Sequence, residues 1–150
     1  MAGRRIRALQ LMGRIARQAL EEDAAALGAL RGRIDGLEGE RAAIQADLQA
    51  QAQSRSLEAV AHLPAYLRAV RGEQARIEAE LGALRRQERE LEAAVSRRFR
   101  EGKTVELVLE SARTEEREAV SRAEAAELDS FTITRHGMRA AARLRETGGA

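Results

Sequence analysis

Apolar residues recur along the chain in alternating steps of three and four residues. This spacing averages about 3.5 residues, the heptad period, and aligns the side chains along one seam of a supercoiled helix. The first run of seam residues is Leu27, Leu30, Ile34, Leu37, Ile44 and Leu48. The second run is Leu67, Val70, Ile77, Leu81, Leu84, Leu91 and Val95. Two matching seams predict an all-α fold, a long antiparallel two-helix coiled-coil hairpin.

The seam fails between its two runs, and the residues there favour a turn. Serine is common in turns, and this stretch contains Ser54 and Ser56. The only proline, Pro64, suits the first turn of a helix. Gly72 is an alternative turn site, but the seam passes through it without a change of phase. The predicted boundaries are helix 1 at about residues 4–52, a turn at about 53–63 and helix 2 at about 64–145, within one domain of residues 1–150 that frays at its C-terminus.

Helix 2 is predicted to be the longer helix and to project at its C-terminal end. At a rise of about 1.5 Å per residue it spans roughly 120 Å, against roughly 75 Å for helix 1, which ends opposite about Ala112. Beyond Leu109 the seam holds mostly alanine. The segment is either a solvated single helix or a docking arm that orders on a partner. Phe131 lies in it without an intramolecular partner, which makes it a candidate contact.

The polar positions on the seam bear on how the helices align. Arg41 interrupts the first run, and Gln74 and Glu88 interrupt the second. Pairing Leu48 with Val70 matches the seams throughout, but a shift of one heptad fits almost as well. One such shift places Asp23 opposite Glu88, and the repulsion between two carboxylates disfavours it.

Composition supports a coiled coil and argues against nucleic acid as a partner. The chain has two Phe, one Tyr and no Trp among 150 residues, and 33% of its residues are charged. The net charge is only +2, and stacking aromatics are lacking. The N-terminal residues 1–20 carry arginines without acids, as in a transit peptide or a membrane-surface helix. Ile6 and Leu9 continue the seam, however, which favours the first turns of helix 1.

The sequence offers little chemistry for catalysis or for holding a metal. It contains no Cys, and neither His62 nor His136 is followed three or four residues later by a second His or by a carboxylate. We find no nucleotide-binding glycine loop and no nucleophile elbow. The chain is therefore predicted to lack enzymatic activity, cofactors and metal ions.

Two local motifs give the chain its resemblance to a known family. Tyr66, Leu67 and Val70 form an aromatic–apolar–x–x–apolar stretch. Leu128 and Asp129 are similar to an apolar–Asp–Glu signature in which Ser130 replaces the Glu. With the predicted hairpin, these motifs resemble the FliJ family of flagellar export proteins and the related YscO-type stalk proteins of type III secretion injectisomes.

The resemblance implies a non-enzymatic stalk in a hexameric export ATPase ring, analogous to the γ subunit of rotary ATP synthases. It also implies contacts with the export-gate membrane protein and with export chaperones, in the cytoplasm at the inner membrane. We name three candidate surfaces: the Tyr66 patch for the gate, the arginine cluster for the ATPase, and the C-terminal motif. Their residues are Tyr66, Leu67 and Val70; Arg97, Arg98 and Arg100; and Asp129 and Phe131.

Several alternatives remain open at this stage. Leu67 and Val70 lie on the seam and are equally well explained as core, whereas Tyr66 lies one step off it. The sequence does not distinguish a flagellar from an injectisome stalk. A further hypothesis is a generic coiled-coil adaptor that self-associates. The molecular mass in solution distinguishes it from a stalk, which is monomeric when free.

Overall fold

The computed structural model describes residues 2–54 and 57–149, which form two long helices, α1 (Ala2–Gln53) and α2 (Leu57–Thr147). The helices pack antiparallel, so the predicted all-α hairpin with a longer second helix is confirmed. After α1, the backbone N–H of Ser54 donates to the carbonyl of Gln51 at 3.1 Å. Part of the predicted turn, Arg55 and Ser56, lies outside the described residues.

The start of α2 differs from the prediction. Helix α2 begins at Leu57 and contains Pro64, so the prediction that it begins near Pro64 is wrong. A proline inside a helix removes one hydrogen bond to the preceding turn and crowds the carbonyl there. The residues around Pro64 are largely alanine and leucine, which favour helix. The helix therefore continues through the proline.

The chain divides into two compact units, which we call the central unit (Arg14–Gly102) and the terminal unit (Met1–Gly13 with Lys103–Ala150). Each unit combines one stretch of α1 with one stretch of α2. The expectation of a single domain stays a prediction.

The core of the central unit lies on the predicted seam. Ile77 and Leu81 are fully buried, each with 0% of its surface exposed. Burying such a side chain contributes roughly 1.5–3 kcal/mol, so these layers supply most of the pairing energy. The core cluster is Leu30, Ile34, Leu37, Ile77, Leu81 and Leu84, with Ile44 and Leu91 packed against it.

Ion pairs between α1 and α2 reveal how the helices align in the central unit. As the α1 residue advances along the chain, its α2 partner recedes by a similar number of residues. This order is antiparallel and agrees with the alignment that pairs Leu48 with Val70, and it places Asp23 beside an arginine rather than beside Glu88. The pairs are Asp23–Arg98 at 3.4 Å, Arg31–Glu88 at 3.1 Å and Arg41–Glu78 at 2.9 Å.

The terminal unit continues the seam with smaller residues. A Cβ built on Gly13 would lie 3.7 Å from a methyl group of Val105, so the helices approach closely at this layer. Ala112 is buried, and Arg5 pairs with Glu115 at 3.4 Å. Every residue of the C-terminal segment, which we define as residues 117–149, is exposed. This agrees with the prediction that the longer second helix projects at its C-terminal end.

Candidate functional site

The Tyr66 patch lies on α2 close to the start of that helix. Tyr66, Leu67 and Val70 are all half-buried. The helix alignment places Val70 opposite Leu48, which is half-buried as well. Leu67 and Val70 therefore divide their surface between the helix pair and solvent, and the patch retains accessible area. Its role as a contact with the gate stays a prediction.

The arginine cluster does not form one uniform surface. Arg98 is turned toward α1, and its guanidinium lies 3.4 Å from the carboxylate of Asp23 on that helix. It also lies 3.6 Å from Glu101 of its own helix. Arg97 and Arg100 are exposed, and Arg97 lies 3.9 Å from Glu101. The three-residue step between them places Arg97 and Arg100 on neighbouring positions of one helix face. Arg97 and Arg100 are thus the exposed members of the cluster, and Arg98 is half-buried.

The C-terminal motif is exposed but not assembled on one face. Asp129 is exposed, and 65% of the Phe131 surface is accessible. A separation of two residues places their side chains on different sides of a helix. Phe131 instead shares a shallow concavity with Glu124, Glu127 and Leu128. Phe131 is therefore grouped with these residues and not with Asp129.

Ion pairing across the helices dominates the electrostatics of the central unit. Hydrogen bonds to Glu92, at 2.7 Å, and to Glu88 raise the pKa of Arg31 above its ordinary value. Hydrogen bonding to Glu73 of its own helix raises the pKa of Arg76, with a smaller contribution from Glu40 across the helix pair. A raised pKa stabilises the charged form in the folded chain, and that contribution is lost only above the ordinary arginine pKa. These contacts therefore respond to salt and not to pH near neutrality.

Sequence reasoning missed a group of exposed apolar residues. Leu11, Met12 and Ile15 of α1 are each more than half exposed, and so is Leu107 of α2. They lie off the three–four grid that carries the seam, and that displacement is the signal that identifies them. A search for heptad spacing alone does not detect apolar side chains that the helix pair leaves exposed.

The described part of the chain holds no cluster of three or more potential metal-ligating side chains. One depression in its surface is a shallow groove that Ala112, Glu116 and Ala119 line. None of the helices described here has a stretch of sufficient length and apolar character to cross a membrane. The geometry offers helix faces for recognition.

Comparison with known proteins gives one family. The model of a family described as "Flagellar FliJ protein" matches residues 7–141, which include most of α1 and nearly all of α2. No curated protein and no solved structure matches the chain. The matched range contains the Tyr66 patch, the arginine cluster and the C-terminal motif.

Proposed function

We propose that this chain, which belongs to the flagellar FliJ family and is thus a component of flagellar protein export, acts there as the central stalk of the export ATPase ring. The observation that carries the proposal is the family match over residues 7–141 together with the antiparallel helix pair. The matched family is the flagellar one, which favours a flagellar over an injectisome system.

The construction of the helix pair supports a mechanical role without catalysis. Its core is one seam, and ion pairs such as Arg31–Glu88 and Arg41–Glu78 join the two helices at polar positions of that seam. The paired helices thereby resist sliding along each other, because a shift would break both the apolar layers and the charge pairs. A stalk that transmits force within a ring needs this resistance. We assign the chain no enzymatic activity and no cofactor.

The arginine cluster is the proposed contact with acidic loops of the ATPase ring. The test is ATP hydrolysis by the export ATPase from the same genome, with and without this protein. We expect stimulation, and a reduced stimulation when Arg97 and Arg100 are both replaced by Gln. Arg98→Gln is a poor probe, because it also removes the contact with Asp23.

The chain offers a matched control for this experiment. Arg86 and Arg89 are exposed on α2 with the same spacing of three residues as Arg97 and Arg100. Replacing both by Gln should leave stimulation unchanged. An equal loss of stimulation in both double variants would mean that the effect depends on net charge and not on the arginine cluster. Full stimulation in both would mean that the arginine cluster does not contact the ring.

The Tyr66 patch is the proposed contact with the export-gate membrane protein. Tyr66→Ala should weaken binding to the cytoplasmic part of the gate by about tenfold, as expected for loss of an aromatic anchor. His62→Ala is the control, since His62 is exposed one helical turn away. The proposal also includes the escort of export chaperones and a location in the cytoplasm at the inner membrane. Binding of the chain to unloaded export chaperones tests the escort role.

A self-associating structural adaptor is the alternative. Its sign is dimerisation at low micromolar concentration, whereas the proposed stalk is monomeric when dilute. An adaptor would also leave ATP hydrolysis by the ring unchanged. Sedimentation at low micromolar concentration, run beside the ATPase assay, separates the two functions.

A further inference from the structure

The C-terminal segment presents an apolar stripe along one side of α2. Val120, Leu128, Phe131 and Met138 are each more than half exposed. Eleven residues separate Val120 from Phe131 and seven separate Phe131 from Met138, close to three and two helical turns, so these side chains follow one another along the helix. Leu128, three residues before Phe131, lies at the edge of this stripe. Glu124 belongs to the same side, because it borders a concavity together with Leu128 and Phe131.

The charges of this segment change sign along the helix. Acidic residues dominate from 115 to 129, whereas every charged residue from 135 to 145 is an arginine. Within the residues that the structure describes, these arginines form no ion pair. They are Arg135, Arg139, Arg143 and Arg145. A segment with one acidic half and one basic half is complementary to a reversed copy of itself.

We propose that two copies of this chain associate antiparallel through their C-terminal segments, around a two-fold axis at Phe131. Such a pairing is isologous, so each acidic half lies on the basic half of the other copy. Phe131 packs against Phe131 of the second copy, and Val120 lies near Ala142. The interaction is independent of the ring and gate contacts proposed above.

Helical spacing determines which charges meet across this axis. Glu124 and Arg139 lie at nearly equal distances on either side of Phe131 and on the same edge of the apolar stripe. In an antiparallel pair, residues on the same edge face each other. Glu124 therefore meets Arg139 of the other copy, and Arg117 meets Glu146 in the same way. Each contact occurs twice because of the symmetry.

The expected affinity is low, with a dissociation constant of roughly 100 µM at low salt. Few large apolar side chains take part, and the small residues between them bury little surface. Exposed charge pairs are screened by salt, so the association weakens as ionic strength rises. The chain is therefore monomeric when dilute and pairs where it is concentrated locally.

Charge exchange in the full chain tests the proposal by sedimentation equilibrium from 10 µM to about 1 mM. Glu124→Arg and Arg139→Glu should each weaken self-association at least tenfold, because each places like charges face to face. An equimolar mixture of these two variants should associate at least as tightly as the unmodified chain, since all facing charges are then opposite. Glu118→Arg and Arg143→Glu, which change the same charges off the stripe, are the matched controls and should retain self-association.

Spin labels test the orientation, and the absence of native Cys makes single labels possible. A label on Ser130→Cys should show a short distance between copies. A label on Leu144→Cys should show about 40 Å, from a rise of about 1.5 Å per residue on each side of the axis. Short distances at both sites would indicate a parallel pair and overturn the proposal. Self-association that is absent, or weakened equally by on-stripe and control variants, would overturn it as well.

Discussion

Two stretches of α2 follow the same heptad grid with opposite results. Around Ile77 and Leu81 the grid positions are fully buried against α1, whereas from residue 117 to the end of α2 every position is exposed. The seam of the second stretch is built mainly from alanine, serine and glycine, such as Ala123, Ser130 and Gly137. Periodicity therefore gives the direction of a seam, and side-chain size decides how much free energy its burial can supply.

The largest expected effect comes from shortening one buried leucine. Leu81→Ala should lower the free energy of unfolding by about 2–5 kcal/mol, because it leaves a cavity in the core layer. Leu128→Ala, the matched change in the C-terminal segment, should alter it by less than about 0.5 kcal/mol. Urea titration followed by circular dichroism measures both. Equal effects would mean that the seam around Leu81 is not the source of stability.

The glycines of α1 provide the next largest effect, with the opposite sign. A Cβ built on Gly28, Gly32, Gly36 or Gly39 meets no atom within 4 Å. Replacing all four by Ala should stabilise the chain by about 2–4 kcal/mol, from about 0.5–1 kcal/mol at each site, through higher helix propensity and lower entropy of the unfolded state. Gly137→Ala, outside the paired stretch, should raise helicity without delaying the main transition. A destabilised quadruple variant would show that this face of α1 is not free.

A polar residue on the seam offers a smaller gain. Arg41 takes a seam position and pairs with Glu78, whose side chain is 58% exposed. Arg41→Leu should raise the free energy of unfolding by about 1 kcal/mol, because it adds apolar burial and leaves only an exposed carboxylate unpaired. Arg135→Leu in the C-terminal segment should produce no such gain. If Arg41→Leu instead lowers the free energy of unfolding, the ion pair contributes more stability than the added apolar burial.

Ion pairs across the helices give the smallest effect. Arg85 donates to Glu38 at 2.7 Å, with both side chains about two-fifths exposed. A double-mutant cycle with alanine should give a coupling of about 0.2–1 kcal/mol that falls in high salt. The same cycle on Glu127 and Arg139 should give none in dilute solution. Coupling that persists in high salt would contradict the assignment to a screened surface pair.

The paired helices and their core can be predicted from the sequence, because large aliphatic residues at heptad spacing are buried together when two helices pack along one seam. Leu30, Ile34, Ile77 and Leu81 were all predicted on the seam and are buried. The start of α2 was misjudged, because Pro64 costs one hydrogen bond and the residues before it still favour helix.

The candidate surfaces were less predictable, because heptad spacing alone leaves the alignment of the helices open by whole heptads. The contact of Arg98 with Asp23 depends on that alignment, so the sequence assigned all three arginines to one cluster. The half-buried state of Leu67 and Val70 also depends on it. Contacts between distant parts of the chain can be predicted only once the alignment of the two helices is known.

The half-buried Tyr66 has a spectroscopic consequence. It is the only tyrosine, and the chain has no tryptophan, so intrinsic fluorescence reports on one site near the start of α2. Circular dichroism averages over both helices. Because the fully buried layers lie further along α2, we expect the fluorescence transition to precede the dichroism transition on heating. The native chain thus carries its own probe of how opening begins at that end of the helix pair.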